Sequence, residues 1–334
     1  MPPFPKKWLI VLLVLGFGIP LLNPLLPDVV SSYRLFLVST MIIAAIAVLG
    51  LNLLTGFNGQ ISLGHGAFYA VGAYAAAILM DQYDVPYYAT LPIAAVVCFV
   101  VGYLFGQPAL KLEGHYLALA TFALALSVPQ ILKYKWLEGI TGGVQGIVLT
   151  KPDPPIASLF GLALNPDRWL FLFTLLVAVI MFVVGWNLLR GRVGRALIAI
   201  RDHPIAASTM GIDNSMYKSL AFGVSALFTG VAGALGALAV AFVAPDSFTI
   251  FLSISLMVGM VVGGLASITG ALWGAIFIQF VPNLADQVSK AAPWAIYGAL
   301  MILFMYVMPT GIAGALRLAR QRFARRRGRG PSGG

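Results

Sequence analysis

The chain has 334 residues, a formal charge of +10, 60% hydrophobic residues, 10% charged residues and a mean hydropathy of +0.93. Apolar stretches of about 20 residues, enough to carry a helix across a bilayer, recur from Trp8 to Pro309 and exclude a soluble fold. Despite the positive charge, no groove-reading motif points to nucleic acid.

The hydropathy pattern predicts an all-α polytopic membrane protein with about ten transmembrane helices, at 8–26, 35–54, 61–80, 88–107, 115–132, 169–189, 219–243, 250–265, 268–281 and 293–309. Lys6 and Lys7 precede the first, which has no small-residue cleavage site before Pro27 and is read as a retained helix. Cys98, the single cysteine, lies inside an apolar run and reads as packing. Gly263 to Gly270 leaves little room for a turn between the eighth and ninth segments, so two full spans and a re-entrant pair both remain open.

Lys and Arg orient this set. With the N-terminus inside, Lys6, Lys7, Lys111, Arg190, Arg192, Arg195, Arg201, Lys218 and the tail arginines Arg317, Arg320, Arg322, Arg325, Arg326, Arg327 and Arg329 lie inside. Only Arg34, Lys133, Lys135, Lys151, Arg168 and Lys290 lie outside. That asymmetry predicts both termini in the cytoplasm. Small residues four apart, Gly72 and Ala76, Ser219 and Gly223, and Ala226, Gly230 and Ala234, predict close helix–helix packing.

No Asp, Glu, Lys or Arg falls mid-span, which leaves ion or proton coupling little to work with, and His65 is the one ionisable group the spans can bury. No H-E-x-x-H, G-x-S-x-G or P-loop motif is present, so neither zinc hydrolysis, serine hydrolysis nor ATP binding is encoded in a recognised form, and no metal or catalytic residues are assigned.

Three segments carry information beyond the spans. From Gly50 to Tyr74, the polar residues Thr55, Asn58, Gln60, Ser62 and His65 cluster among glycines, either as a tight inner turn with His65 bonded to a backbone carbonyl or as a flexible element near a pathway. The inner loop from Arg190 to Lys218 contains a short helix signal: Asp202 or His203 as N-cap, Pro204 in the first turn and Gly211 as the stop, with Ile205, Ala206, Thr209 and Met210 on one side. That helix either docks into a cytosolic partner or is a solvated loop. The outer stretch 133–168, with Thr141 to Gly146 and Lys151 to Pro155, is either a plain connection or a contact for a soluble outer partner.

Gly59 to Phe68 followed by Gly72 to Tyr74, Tyr116 to Ala123, Thr141 to Gly146, Arg195 to Ile212 followed by Tyr217 to Phe222, and Gly263 to Ala275 together resemble, in order, the branched-chain amino acid ABC permeases, on the LivM-type side of that family. The resemblance implies a bacterial inner-membrane permease subunit that carries branched-chain or other apolar amino acids and catalyses no covalent chemistry. It implies a LivH-type sister permease, two cytosolic ATPases that bind ATP and Mg, and an extracytoplasmic binding protein. Residues 1–316 form the permease domain, and 317–334 a basic tail expected to be disordered. The docking helix then resembles a coupling helix, with Arg201, Asp202, His203, Ala206, Ala207 and Gly211 as ATPase-contact candidates, although His203-Pro204 and Ser208-Thr209 stand where relatives usually carry acidic residues. Thr121, Ser127 and Gln130 join Thr55, Asn58, Gln60, Ser62 and His65 as pathway or gate candidates. Permeation of urea, short amides or other amino acids, and a stand-alone carrier or channel dependent on His65, are the alternatives.

Overall fold

The computed structural model describes residues 31–318 apart from 110–111, 113, 156–157, 160–161, 164, 289–292 and 309. The expected first helix 8–26, the inner Lys111, the outer Lys290 and the tail beyond residue 318 lie outside the described residues.

The helices are α1 (Ser32–Leu51), α2 (His65–Tyr83), α3 (Tyr87–Ala109), α4 (His115–Leu132), the short α5 (Glu138–Thr141), α6 (Pro166–Arg190), α7 (Arg192–Asp202), α8 (Pro204–Thr209), α9 (Asn214–Val240), α10 (Ile250–Gly263), α11 (Ile268–Val288) and α12 (Pro293–Val307). A π-helical turn, Asn52–Phe57, continues α1. Among the described residues, Ser32–Phe57, Tyr87–Pro108, His115–Leu132, Pro166–Arg190, Asn214–Val240 and Pro245–Gly263 are long and apolar enough to cross a membrane, and Ile268–Leu284 is a shorter apolar helix. The chain is an all-α polytopic membrane protein.

α9 is the centre of the bundle, packed against α1, α2 and α3. Its sequence explains why. Lipid tails are as apolar as leucine, so helices in a membrane gain by close contact more than by hiding from solvent. α9 supplies small residues for that contact. A Cβ added at Gly72 on α2 would lie 2.1 Å from the Gly230 carbonyl oxygen, and one at Gly233 would lie 2.0 Å from the Tyr69 carbonyl oxygen. On the α3 side, a Cβ at Gly230 would meet the Cys98 sulfur at 2.3 Å. Cys98 is buried, and its thiol donates to the Phe68 carbonyl at 3.5 Å. Phe228, Ile46, Leu49 and Leu235 fill the centre of the core around these backbone contacts.

The two ends of the bundle differ. At one end, β1 (Ile147–Val148) pairs antiparallel with β4 (Phe242–Val243), and β2 (Ser158–Leu159) pairs with β3 (Leu162–Ala163). Lys133 there pairs with Asp246, and Lys151 with Asp167 at 2.8 Å. The stretch 133–168 is therefore tied down rather than free: Gln82 of α2 donates to the Gly139 carbonyl at 2.9 Å, and Thr141 to the Leu132 carbonyl at 2.8 Å. At the other end lie the π turn, the start of α2, and α7 and α8.

Several boundaries move from the expectation. The segment expected from 61 becomes helical only at His65, because the chain first makes a non-helical turn through Gly59, at φ +79°. The loop 190–218 is mostly helix, and α9 already begins at Asn214, where the Asp213 carboxylate accepts from the Ser215 and Met216 N–H groups at 2.9 and 3.1 Å. α10 and α11 are separate packed helices joined by a turn at 264–267, where Gly264 adopts φ +122°.

Candidate functional site

The polar residues at the α2 end form a joint between helices. Gly64 at the start of α2 carries no side chain to cap the helix. Hydroxyls from three other places satisfy its leading N–H groups instead: Leu63 donates to Thr121 on α4 at 2.9 Å, Gly64 to Ser62 at 3.3 Å, and Gly66 to Ser253 on α10 at 2.8 Å. A Cβ at Gly64 would lie 2.8 Å from the Thr121 carbonyl oxygen and one at Gly66 2.6 Å from Ser253 Oγ, so these glycines serve close approach.

His65 is fully buried in this joint. Ser225 Oγ on α9 lies 2.6 Å from the Gly50 carbonyl, 2.5 Å from His65 Nε2, and His65 Nδ1 lies 3.0 Å from Ser62 Oγ. A carbonyl only accepts, so the single Ser225 proton goes to Gly50. The Ser225 oxygen must then accept from Nε2–H, and Nδ1 accepts from Ser62. One neutral tautomer thus places every proton in the chain of bonds, and His65 ties α1, α2 and α9 together. The expected backbone-carbonyl partner is replaced by two serine hydroxyls. The carrier alternative, which needs His65 to take up and release a proton, finds the ring enclosed between those hydroxyls.

The remaining polar residues of the cluster divide. Thr55 donates to the Gln60 carbonyl at 2.8 Å, and Gln60 Nε2 to the Lys218 carbonyl at the start of α9 at 3.3 Å. Asn58 is buried, and neither its amide nitrogen nor its amide oxygen has a hydrogen-bond partner among the described residues. Asn52, absent from the sequence-based site, is the strongest link. Its Nδ2 donates to the Ser267 carbonyl at 2.8 Å and its Oδ1 accepts from Ala266 N–H at 2.9 Å, which clamps the α10–α11 turn.

On α4, Thr121 faces the bundle, whereas Ser127 and Gln130 are exposed on the stripe with Tyr116, Leu119 and Leu126. Thr121 is therefore separated from the other two pathway candidates, because six and nine residues along a helix of 3.6 residues per turn turn through about 240° and 180°. It is spent on Leu63 N–H, not on an open surface.

The short helix expected after His203 exists as α8 and is closed at its end as expected. Gly211 takes φ +83°, its N–H donates to the Ser208 carbonyl at 3.0 Å, and Ile212 N–H to the Ala207 carbonyl at 3.1 Å, the paired bonds of a Schellman stop. His203 is the N-cap residue, but its ring makes no cap bond, and Pro204 follows it in the first turn. Asn214 Nδ2 donates to the Pro204 carbonyl at 2.8 Å and fixes the helix against α9. Ile205 and Met210 are 75% and 83% exposed, and His203, Ala206 and Gly211 are exposed beside them. Two contact candidates are engaged within the chain. Ala207 is buried, because it is the residue on which α8 rests against the bundle. Arg201 stays exposed but is held against the molecule, donating from Nη1 to the Gly56 carbonyl at 3.0 Å while its guanidinium holds Asp202 at 2.8 Å.

Comparison with known proteins matches this architecture. The family profile described as "Branched-chain amino acid transport system / permease component" matches residues 33–308. The high-affinity branched-chain amino acid transport system permease protein LivM of Escherichia coli strain K12 is 34% identical over 327 residues, covering 92% of this chain and 74% of the relative. The protein of the same name from Salmonella typhimurium is 33% identical with the same coverage. A probable branched-chain amino acid transport permease protein LivH from Methanocaldococcus jannaschii is 29% identical over 282 residues, covering 80% of this chain and 87% of the relative. No solved structure matches.

Proposed function

This chain belongs to the family of branched-chain amino acid transport permeases, on the LivM side, and from that premise we propose that it is the membrane permease subunit of an ATP-driven importer for branched-chain amino acids. The chain is not an enzyme. ATP and Mg are used by two cytosolic ATPases, a LivH-type permease completes the membrane part, and an extracytoplasmic binding protein delivers substrate. The full chain has ten spans, both ends in the cytoplasm and residence in a bacterial inner membrane.

The observation that carries this reading is α8. A six-residue helix closed by a Schellman stop, propped on buried Ala207 and presenting exposed Ile205 and Met210, is built to be gripped from outside. Amino-acid side chains that are apolar suit a membrane domain with no mid-span carboxylate or ammonium among its described spans.

The test is reconstitution of the chain with the sister permease, ATPases and binding protein in proteoliposomes, followed by uptake of labelled leucine with valine, isoleucine and urea as competitors. ATP-dependent uptake that needs every component and is blocked by valine and isoleucine is the expected result. Uptake by the chain alone overturns the importer reading, and blockage by urea alone overturns the substrate class.

A further inference from the structure

We infer that Arg201 is a positioning residue rather than an ATPase contact: it ties the α7–α8 docking element to the π-helical end of α1, so that displacement of α8 is delivered to the Asn52–Phe57 turn. The inference rests on the ATP-driven reading above.

The link is specific. Arg201 Nη1 reaches the Gly56 carbonyl at 3.0 Å across 145 residues of sequence. A carbonyl at a helix C-terminus lacks an intrahelical N–H partner, and a cation there is matched to both its lone pair and the helix dipole. Asp202 Oδ1 holds the guanidinium in this direction through Nε at 2.9 Å and Nη2 at 2.8 Å. The arginine stem lies across Gly59, where an added Cβ would come within 2.8 Å of Arg201 Cγ. A glycine is thus needed twice over at this point, for its φ of +79° and for the room it leaves.

What the link grips is a junction. A Cβ on Gly56 would sit 1.9 Å from Asn52 Oδ1 and 2.6 Å from Ala266 N, so the residue that receives Arg201 also abuts the clamp on the α10–α11 turn. Gly56 therefore gives motion of α8 a route to α1, α10 and α11. Asn58, next to this junction, is buried with both amide atoms unpaired among the described residues. A buried amide without partners is costly to keep, and any arrangement of the turn that pairs it would relieve that cost. The turn is held in a state that a pull through Arg201 can release, as expected for a two-state element at the receiving end of a coupling device.

The experiment compares wild type, Arg201→Met, Arg201→Lys and Asp202→Asn in the assembled complex, in proteoliposomes. It measures co-purification of the ATPases, ATP hydrolysis, and leucine taken up per ATP hydrolysed. Arg201→Met should keep assembly and hydrolysis and lower uptake per ATP by about tenfold, the scale of one lost charge-assisted hydrogen bond. Arg201→Lys, which keeps one charged donor, should recover part of the ratio, and Asp202→Asn should fall between. A wild-type ratio in Arg201→Met overturns the inference. Loss of ATPase co-purification from an otherwise monodisperse Arg201→Met protein also overturns it, by making Arg201 a partner contact. Absence of ATP-driven uptake in the wild-type complex refutes the importer reading, and this inference with it.

Discussion

Gly72→Ala is the sharpest test of how the bundle is held. The new methyl carbon would sit 2.1 Å from the Gly230 carbonyl oxygen and 2.5 Å from Gly230 Cα, both backbone atoms of α9. Ordinary C···O contact is about 3.3 Å, so α2 and α9 must part locally by about 1.2 Å. Overpacking of this kind costs about 1–3 kcal/mol, and the widened seam also weakens neighbouring dispersion contacts by a quarter to a half where the gap reaches about 1 Å. Gly298→Ala on α12 is the matched control. Among the described residues its Cβ would meet nothing within 4 Å, so it should be neutral or stabilised by at most about 1 kcal/mol. Cys98 provides the assay. It is the single cysteine, it is buried, and it lies at the same α9 seam. Its reaction with a thiol-activated fluorophore during heating in detergent reports opening of the bundle. Gly72→Ala should become reactive at a lower temperature than wild type, and Gly298→Ala should not. Coincident curves for Gly72→Ala and wild type would refute the argument that backbone contact limits stability here.

Replacing Asn52 by Leu removes both bonds to the α10–α11 turn and leaves Ala266 N–H and the Ser267 carbonyl without them. The cost should be about 1–3 kcal/mol for each group left unpaired, read as faster hydrogen exchange at 264–267 and an earlier thermal transition. His65→Leu and Ser225→Ala break the same hydrogen bond, so their destabilisations should be non-additive by at least about 0.5 kcal/mol in a double-mutant cycle of thermal unfolding; additivity would remove the relay. Ile205→Asp with Met210→Asp changes only exposed side chains of α8, so stability should stay within about 0.5 kcal/mol while the ATPases cease to co-purify.

The span 115–132 in the sequence has the same ends as α4, and the π-helical, non-helical and glycine-rich character of 52–64 begins where the apolar run is broken by polar residues. Hydropathy reads length and burial of whole segments, so it serves such elements well. It does not read which side of a residue is spoken for. Arg201 looked outward because charges in an inner loop normally do, and only the folded chain brings the Gly56 carbonyl to it. Ala207 shared a helical stretch with exposed residues, and a six-residue helix is too short for periodicity to tell prop from grip. Asn52 carries a signal in the sequence: an amide within a helix of this hydropathy is retained when it has something to bind. Ser225 and Ser253 carried none, because a serine in a membrane helix can satisfy itself on its own backbone.

The central position of α9 also has a consequence for how the chain is made. Its partners α1, α2 and α3 are synthesised more than a hundred residues before its end emerges, and small residues on them fit against it. Insertion and packing in a membrane are separable stages. Until Asn214–Val240 packs in, Gly72 lacks the Gly230 backbone it fits, and the His65 N–H lacks the Ser225 oxygen that receives it. A chain without Asn214–Val240 therefore lacks both the Ser225 oxygen that receives the His65 N–H and the Gly230 backbone that meets Gly72, so α9 closes the polar joint and the glycine seam in one step.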